Sequence, residues 1–309
     1  MEMGNCRQAY GQALKEHGEI DKRIVVLEAD LGKSTMSSVF EQAFPDRYFQ
    51  VGIAEQNMAS MAAGFALTGK TAFIHSFAVF ASGRAYDQVR SSICIPKLNV
   101  KVCGSSAGLS DFGDGKTHQS IDDIAIMRVL PNMTVLSPVD AVETAKMVKA
   151  MCDYSGPCYI RINRNDLPIY TDAGAEYHIG KMQMLRDGKD VVAFASGVMV
   201  SQALAAADEL ENEGVSLRVV NISTIKPLDV CALKEYCAGM RGVVTAEEHS
   251  IYGGLGSAVC EALAAEKLPV AILGINDSFG LSAENYEVLL KKFNLTPAAI
   301  AEKVRQILG

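Results

Sequence analysis

Glu55 is the first residue whose type and setting suggest chemistry. It follows Gly52, Ile53 and Ala54 and heads a helix dense in Ala, Met and Gly; an apolar and aromatic strand, Thr71 to Phe77, comes next, then a further aromatic at Phe80. A lone acid among apolar and aromatic neighbours is a setting in which a carboxyl handles protons near neutrality. The second concentration of reactive types is the loop Cys103 to Gln119, CGSSAGLSDFGDGKTHQ. Asp114 and His118 are the pair expected there to recognise hydroxyls and move protons. Arg7, Arg161 and Arg164 are candidate clamps for phosphate or carboxylate, because guanidinium binds such groups in a planar fork. The bland alternatives are a surface histidine and surface ion pairs. Glu247-Glu248-His249 is catalytic in type, but after a strand in the second half it serves equally well as a loop packing on a neighbour, and it is given no role.

Two patterns in the loop imitate phosphate and metal motifs. Ser110 to Thr117 is one residue from a Walker A loop, with Ser110 in place of the first glycine. No apolar strand ending in Asp follows at a suitable place, so a nucleotide-binding module is a remote reading. Gly113-Asp114-Gly115 matches the start of a Gly-Asp-Gly…Asn metal motif, but Asn132 comes too soon to complete it. No metal site is expected.

These residues must be positioned by alternating strands and helices. Strand Arg23 to Glu28 runs into a loop containing Asp30 and Ser34, the kind of loop that binds ligands at the carboxyl edge of a parallel sheet. The local alternative is a plain helix cap at Ser34 or Ser37. Strands follow at Tyr48–Val51, Thr71–Phe77, Val100–Cys103, Met133–Pro138 and Cys158–Ile162, with helices between them. The β-α-β-α order predicts a parallel α/β sheet covered on both faces. The pattern lapses between Asn165 and Asp187. Expected boundaries are a first domain at 1–165, a linker at 166–188 and a smaller α/β domain at 189–309.

Composition supports an ordinary folded protein of 309 residues, 49 % apolar and 21 % charged. A net charge of −7 argues against nucleic acid or an anionic membrane as partner. The eight cysteines form no Cys-x-x-Cys pair, which is the usage of a reducing cytoplasm. No apolar run approaches the ~18 residues of a membrane span, and no signal peptide is read at the N-terminus.

Taken together, Gly-Ile-Ala-Glu55-Gln, Ser-Phe77-Ala-Val-Phe80, Asp114-Gly-Lys-Thr-His118-Gln and Ile-Arg-Ile-Asn-Arg164 give a chain that resembles the carboxyl-terminal half of a transketolase, over nearly its whole length. The resemblance implies a pyrimidine-binding domain followed by a transketolase C-terminal domain. It implies thiamine diphosphate as cofactor, with Glu55 hydrogen-bonding the aminopyrimidine ring nitrogen and favouring its imino tautomer. Phe77 and Phe80 would enclose the ring, and Asp30 would lie near it at a subunit contact. Arg7, Ser34 and Arg164 would grip a sugar phosphate, while Asp114 and His118 read donor hydroxyls. Two positions depart from the family. Ser106 stands where a donor-contacting histidine is expected, and Gly83 and Arg84 lie where a third aromatic is expected.

The family's diphosphate-binding domain has no counterpart in these residues. The expectation is a split enzyme of the α2β2 kind: a separate N-terminal subunit binds Mg²⁺ and the diphosphate, and this chain is inactive alone. The reaction implied is transfer of a two-carbon ketol unit between sugar phosphates. The alternatives are a 2-oxo-acid dehydrogenase β subunit and a 1-deoxyxylulose-5-phosphate synthase-like fragment.

Overall fold

The computed structural model describes residues 2–309. Strands form where β-branched and apolar residues run between turn residues. In chain order they are β1 (Met3–Asn5), β2 (Ile24–Glu28), β3 (Tyr48–Gln50), β4 (Thr71–Phe77), β5 (Val100–Ser105), β6 (Thr134–Leu136), β7 (Cys158–Ile162) and β8 (Asp166–Pro168). They continue as β9 (Gln183–Arg186), β10 (Val191–Ala195), β11 (Leu217–Asn221), β12 (Thr224–Lys226), β13 (Val243–Ser250) and β14 (Val270–Ile275).

The first sheet has the order β12-β6-β7-β5-β4-β2-β3. It is parallel throughout except for β12, which pairs antiparallel with β6. Every residue of β2, β4, β5, β6 and β7 is buried, as covering on both faces requires. Alternation along β4 divides the core. Phe73 packs with Tyr10, Leu14 and Met147 on one face, and Ala72 and Ile74 pack with Met58 and Ala62 on the other. The second sheet, β14-β13-β10-β11-β9, is parallel but for β9. The α/β class and the parallel first sheet agree with the sequence reading.

Details differ at the ends of elements. The small-residue helix runs from Glu55 to Leu67, with Glu55 as its first residue. Ser37 does not cap the helix Ser38–Ala43; its hydroxyl donates instead to Glu28 at 2.6 Å. The irregular stretch after β7 holds two short strands. β8 pairs with β1, and β9 joins the edge of the second sheet. Strands this short show no readable alternation, and their pairing is set by distant partners.

Candidate active site

In the first sheet the chain passes from β2 to β3 on one side and then to β4 on the other. The carboxyl ends of β2 and β4 therefore flank a topological switch point, where open α/β sheets bind ligands. The loop with Asp30 and Ser34 follows β2, Glu55 follows β3, and Phe77 ends β4. The loop with Asp114 and His118 follows β5, and Arg164 follows β7. One edge thus gathers residues far apart in sequence.

Glu55 is 1 % exposed, but it is not a lone acid. Arg84 donates from Nη1 to both of its carboxylate oxygens at 3.0 Å, and the Ser76 hydroxyl donates at 3.3 Å. The sequence reading of an acid in purely apolar company is corrected by a residue 29 positions on. Residues Val79–Arg84 wind as a π-helix, a form frequent at functional sites. The wider turn brings Arg84 over Phe80, with the guanidinium carbon 4.3 Å from the ring centroid. Phe77 and Phe80 lie nearly parallel, with centroids 6.4 Å apart. The ring of His118 stands edge-on to both, 5.3 Å from Phe80 and 6.1 Å from Phe77. Carboxylate, aromatic pair and imidazole are thus linked in one cluster through Arg84 and Phe80.

Asp114 is exposed and makes no hydrogen bond to His118; the Nδ1 of His118 is 2.9 Å from the Thr117 hydroxyl. The expected Asp114–His118 pair is therefore not formed in the chain by itself. Asp30 is also exposed, in left-handed backbone (φ 65°), and its N–H donates to Gln50. The Walker A imitation fails structurally. Gly115–Thr117 makes one 3-10 turn, and the next helix begins only at Asp123, so no helix N-terminus faces a phosphate there.

Arg7 and Arg164 form the cationic side. Burial lowers the Arg7 pKa, and the nearby Arg164 charge lowers it further. Arg7 donates from Nη1 to the Ser34 carbonyl at 2.9 Å, while its buried Nε has no partner. Arg164 is held at 2.6 Å by Asp111, a buried acid that sequence reasoning did not single out. Two repelling guanidiniums with an unsatisfied N–H between elements make a setting that an anion relieves. Arg161 does not belong to this group. Its Nε and Nη2 bond the buried Asp123 at 2.9 and 3.2 Å, so it is a structural ion pair rather than a clamp.

The second half holds the loop from behind. The Glu248 carboxylate accepts from the Leu109 N–H and the Tyr286 hydroxyl, both at 2.8 Å. Burial pushes its pKa up to about 7, against the pull of Arg161 and these hydrogen bonds. Gln119 donates to Leu281, and Ala283 donates to Phe112. Glu247 accepts from Leu255 and Gly256 at a helix start, and His249 accepts from the Ala125 N–H. The triplet is therefore not a loop: it lies within β13, with Glu248 and His249 bonded to the first half and Glu247 to the helix that follows it.

Two buried groups beneath the site carry no sequence signal beyond a polar residue in an apolar strand. Glu28 ends β2 and accepts from the Thr35 and Ser37 hydroxyls and two backbone N–H groups, and burial pushes its pKa up to about 7. His75 in β4 has its pKa lowered to about 4 by burial, so it is neutral near pH 7. Its Nδ1 donates to the Leu27 carbonyl, which leaves Nε2 to accept from the Tyr10 hydroxyl at 2.8 Å.

Comparison with known proteins places this arrangement. Residues 3–169 match the model of the transketolase pyrimidine binding domain, and residues 180–300 match that of the transketolase C-terminal domain. A protein described as a putative transketolase C-terminal section, from Methanocaldococcus jannaschii, is 43 % identical over 304 residues, covering 97 % of this chain and 95 % of that one. The 6-deoxy-6-sulfo-D-fructose transketolase subunit SqwH of Clostridium sp. (strain MSTE9) is 40 % identical, covering 97 % and 94 %. Human transketolase is 37 % identical over 309 residues, which is 98 % of this chain but 49 % of the human protein. A solved structure described as a split gene transketolase, inactive beta4 tetramer, superposes with a TM-score of 0.89 at 45 % identity and covers 99 % of this chain and 98 % of its own. The chain belongs to the transketolase family, with the fold of its pyrimidine-binding and C-terminal domains.

Proposed function

We propose that this chain is one subunit of a split transketolase. It works with a separate N-terminal subunit, in an α2β2 assembly, to transfer a two-carbon ketol unit from a ketose phosphate to an aldose phosphate. The observation that carries this reading is the convergence at one sheet edge of a buried carboxylate, two parallel aromatics and an imidazole, beside the Arg7–Arg164 pair. The transketolase relatives of similar length support the split, and the solved relative described as inactive fits a chain that needs a second subunit.

The residues fit the aminopyrimidine of thiamine diphosphate. Glu55 is a buried acceptor for a ring N–H, Phe80 is a flat face, and Arg84 already shows that a planar N–H donor sits between them. When bound, the cofactor supplies the carbanion chemistry. Glu55 would hold the proton at the ring nitrogen, Phe77 and Phe80 would keep water from the ring, and Asp30 would lie beside it at the subunit contact. Mg²⁺ and the diphosphate would be held by the partner subunit, since the two domains matched here are the pyrimidine-binding and C-terminal ones. Arg7, Arg164 and Ser34 would bind the substrate phosphate, and His118 and Asp114 its hydroxyls. The cationic pair favours this over a 2-oxo-acid dehydrogenase subunit, whose substrate carries no phosphate. The eight free cysteines suit a reducing, cytoplasmic setting.

The test is ketol transfer from xylulose 5-phosphate to ribose 5-phosphate by the co-purified two-subunit complex, with thiamine diphosphate and Mg²⁺. Glu55→Gln should lower kcat by at least roughly 100-fold, in the upper part of the range for a positioned proton-handling group, while the chain stays folded by circular dichroism. Near-normal turnover in that variant, or 2-oxo-acid decarboxylation in place of ketol transfer, would refute the reading.

A further inference from the structure

We propose that Arg84 is a placeholder for the cofactor ring, occupying the ring's position on this subunit until the ring displaces it. The inference rests on the proposed reading that Glu55 and Phe80 receive the aminopyrimidine. A ring presented edge-first to Glu55 and face-down on Phe80 needs two contacts, an N–H to the carboxylate and a stack on the phenyl. The guanidinium makes both, at 3.0 Å from each carboxylate oxygen and 4.3 Å from the Phe80 centroid. It is planar and cationic, and it donates N–H groups in one plane, as a protonated aminopyrimidine does. The two groups cannot share the space.

The partners differ in freedom. Glu55 is fixed at a helix start and is 1 % exposed, whereas the Arg84 side chain is 45 % exposed on a long flexible stem. Arg84 can swing out, and Glu55 cannot. With neither a ring nor Arg84, Glu55 would be a buried carboxylate with only the Ser76 hydroxyl as donor, an arrangement of high desolvation cost. Arg84 removes that cost in the separate subunit, and the cofactor must outcompete it. The position where a third aromatic was expected thus carries a competitor for the ring instead of a wall.

The experiment is equilibrium binding of thiamine diphosphate, in excess Mg²⁺, to the assembled two-subunit complex, followed by titration calorimetry. Arg84→Ala should bind the cofactor roughly three- to ten-fold more tightly than wild type. That range is a charge-assisted hydrogen bond discounted for a half-exposed partner. Arg84→Lys, which keeps a charge but loses the flat group laid over Phe80, should fall between the two. In the isolated full chain Arg84→Ala should melt below wild type, and adding Glu55→Gln should restore most of the loss. Binding by Arg84→Ala that is unchanged or weaker than wild type would overturn the placeholder role, with the ring site intact if Glu55→Gln still weakens binding. Indifference of binding to Glu55→Gln would overturn both the ring site and the placeholder.

Discussion

Arg161→Met tests how the two halves of the chain are joined. Arg161 lies on β7 and is 6 % exposed. Burial alone would lower its pKa, but Asp123 and Glu248 more than offset this and hold it above the usual arginine range. The substitution keeps most of the volume and removes three hydrogen bonds: two to Asp123 at 2.9 and 3.2 Å, and one to the Glu248 carbonyl at 3.2 Å. Asp123, fully buried, would keep only the Tyr159 hydroxyl at 2.7 Å. Summing three charge-assisted bonds overstates the loss, because they share one donor group and are not additive. The governing cost is the stranded carboxylate, about 3–5 kcal/mol for one half of a buried pair. Urea unfolding of the isolated chain at pH 7.5 measures it, with the denaturant slope unchanged if the native state is intact. Adding Asp123→Asn removes the stranded charge, so the double variant should be more stable than Arg161→Met alone. A loss under about 1 kcal/mol, or a double variant with strictly additive losses, would show that the pair is not coupled as its geometry implies.

Two further outcomes follow from the same region. Glu248 has a folded pKa of about 7 against an ordinary 4.5, so the stability it contributes is fully present below pH 4.5 and is lost as pH rises through about 7. Glu248→Gln keeps the acceptor for Leu109 and Tyr286; its unfolding free energy relative to wild type should rise across that window by at most about 3 kcal/mol, and a pH-independent difference would contradict the assignment. Gly104→Ala should destabilise by about 1–3 kcal/mol in thermal melts, because a Cβ would meet the Tyr159 ring at 2.8–2.9 Å and that ring is anchored through its hydroxyl to Asp123. No measurable change would mean the ring can move aside.

The sheet was readable because its strands are runs of Val, Ile, Leu and Phe buried on both faces, and such runs tolerate few other placements. β4 falls on Thr71–Phe77 and β7 on Cys158–Ile162, as expected. Short strands were not readable, since three residues of β8 or β12 hold no period and are ordered by what they pair with. In the site, sequence found the residue types but not their pairing. Arg161 lies within β7 and is spent on Asp123, while Arg164, three positions on, lies beyond the end of the strand and meets Asp111 at the open edge. Nothing local distinguishes the two. Arg84 was hidden for a related reason: its meeting with Phe80 depends on a π-wound turn, and spacing rules for α-helix or strand do not describe one. Glu28 is not legible because an acid at the end of an apolar strand looks like a strand end, and Glu248 reads equally as a catalytic or a packing residue, until their hydrogen-bond donors are seen.

The antiparallel strand β12 has a consequence for the order in which the protein can be completed. The β6 edge of the first sheet is covered by Thr224–Lys226, nearly a hundred residues downstream of the strand it protects. During synthesis the first sheet can assemble six of its strands once β7 has emerged, yet its β6 edge stays unpaired until the second sheet is well under way. A nascent or truncated chain ending between residues 170 and 223 therefore presents an uncapped row of backbone donors and acceptors on β6. The two halves share both hydrophobic clusters and mature as one unit, because the second supplies the strand that covers the β6 edge of the first sheet.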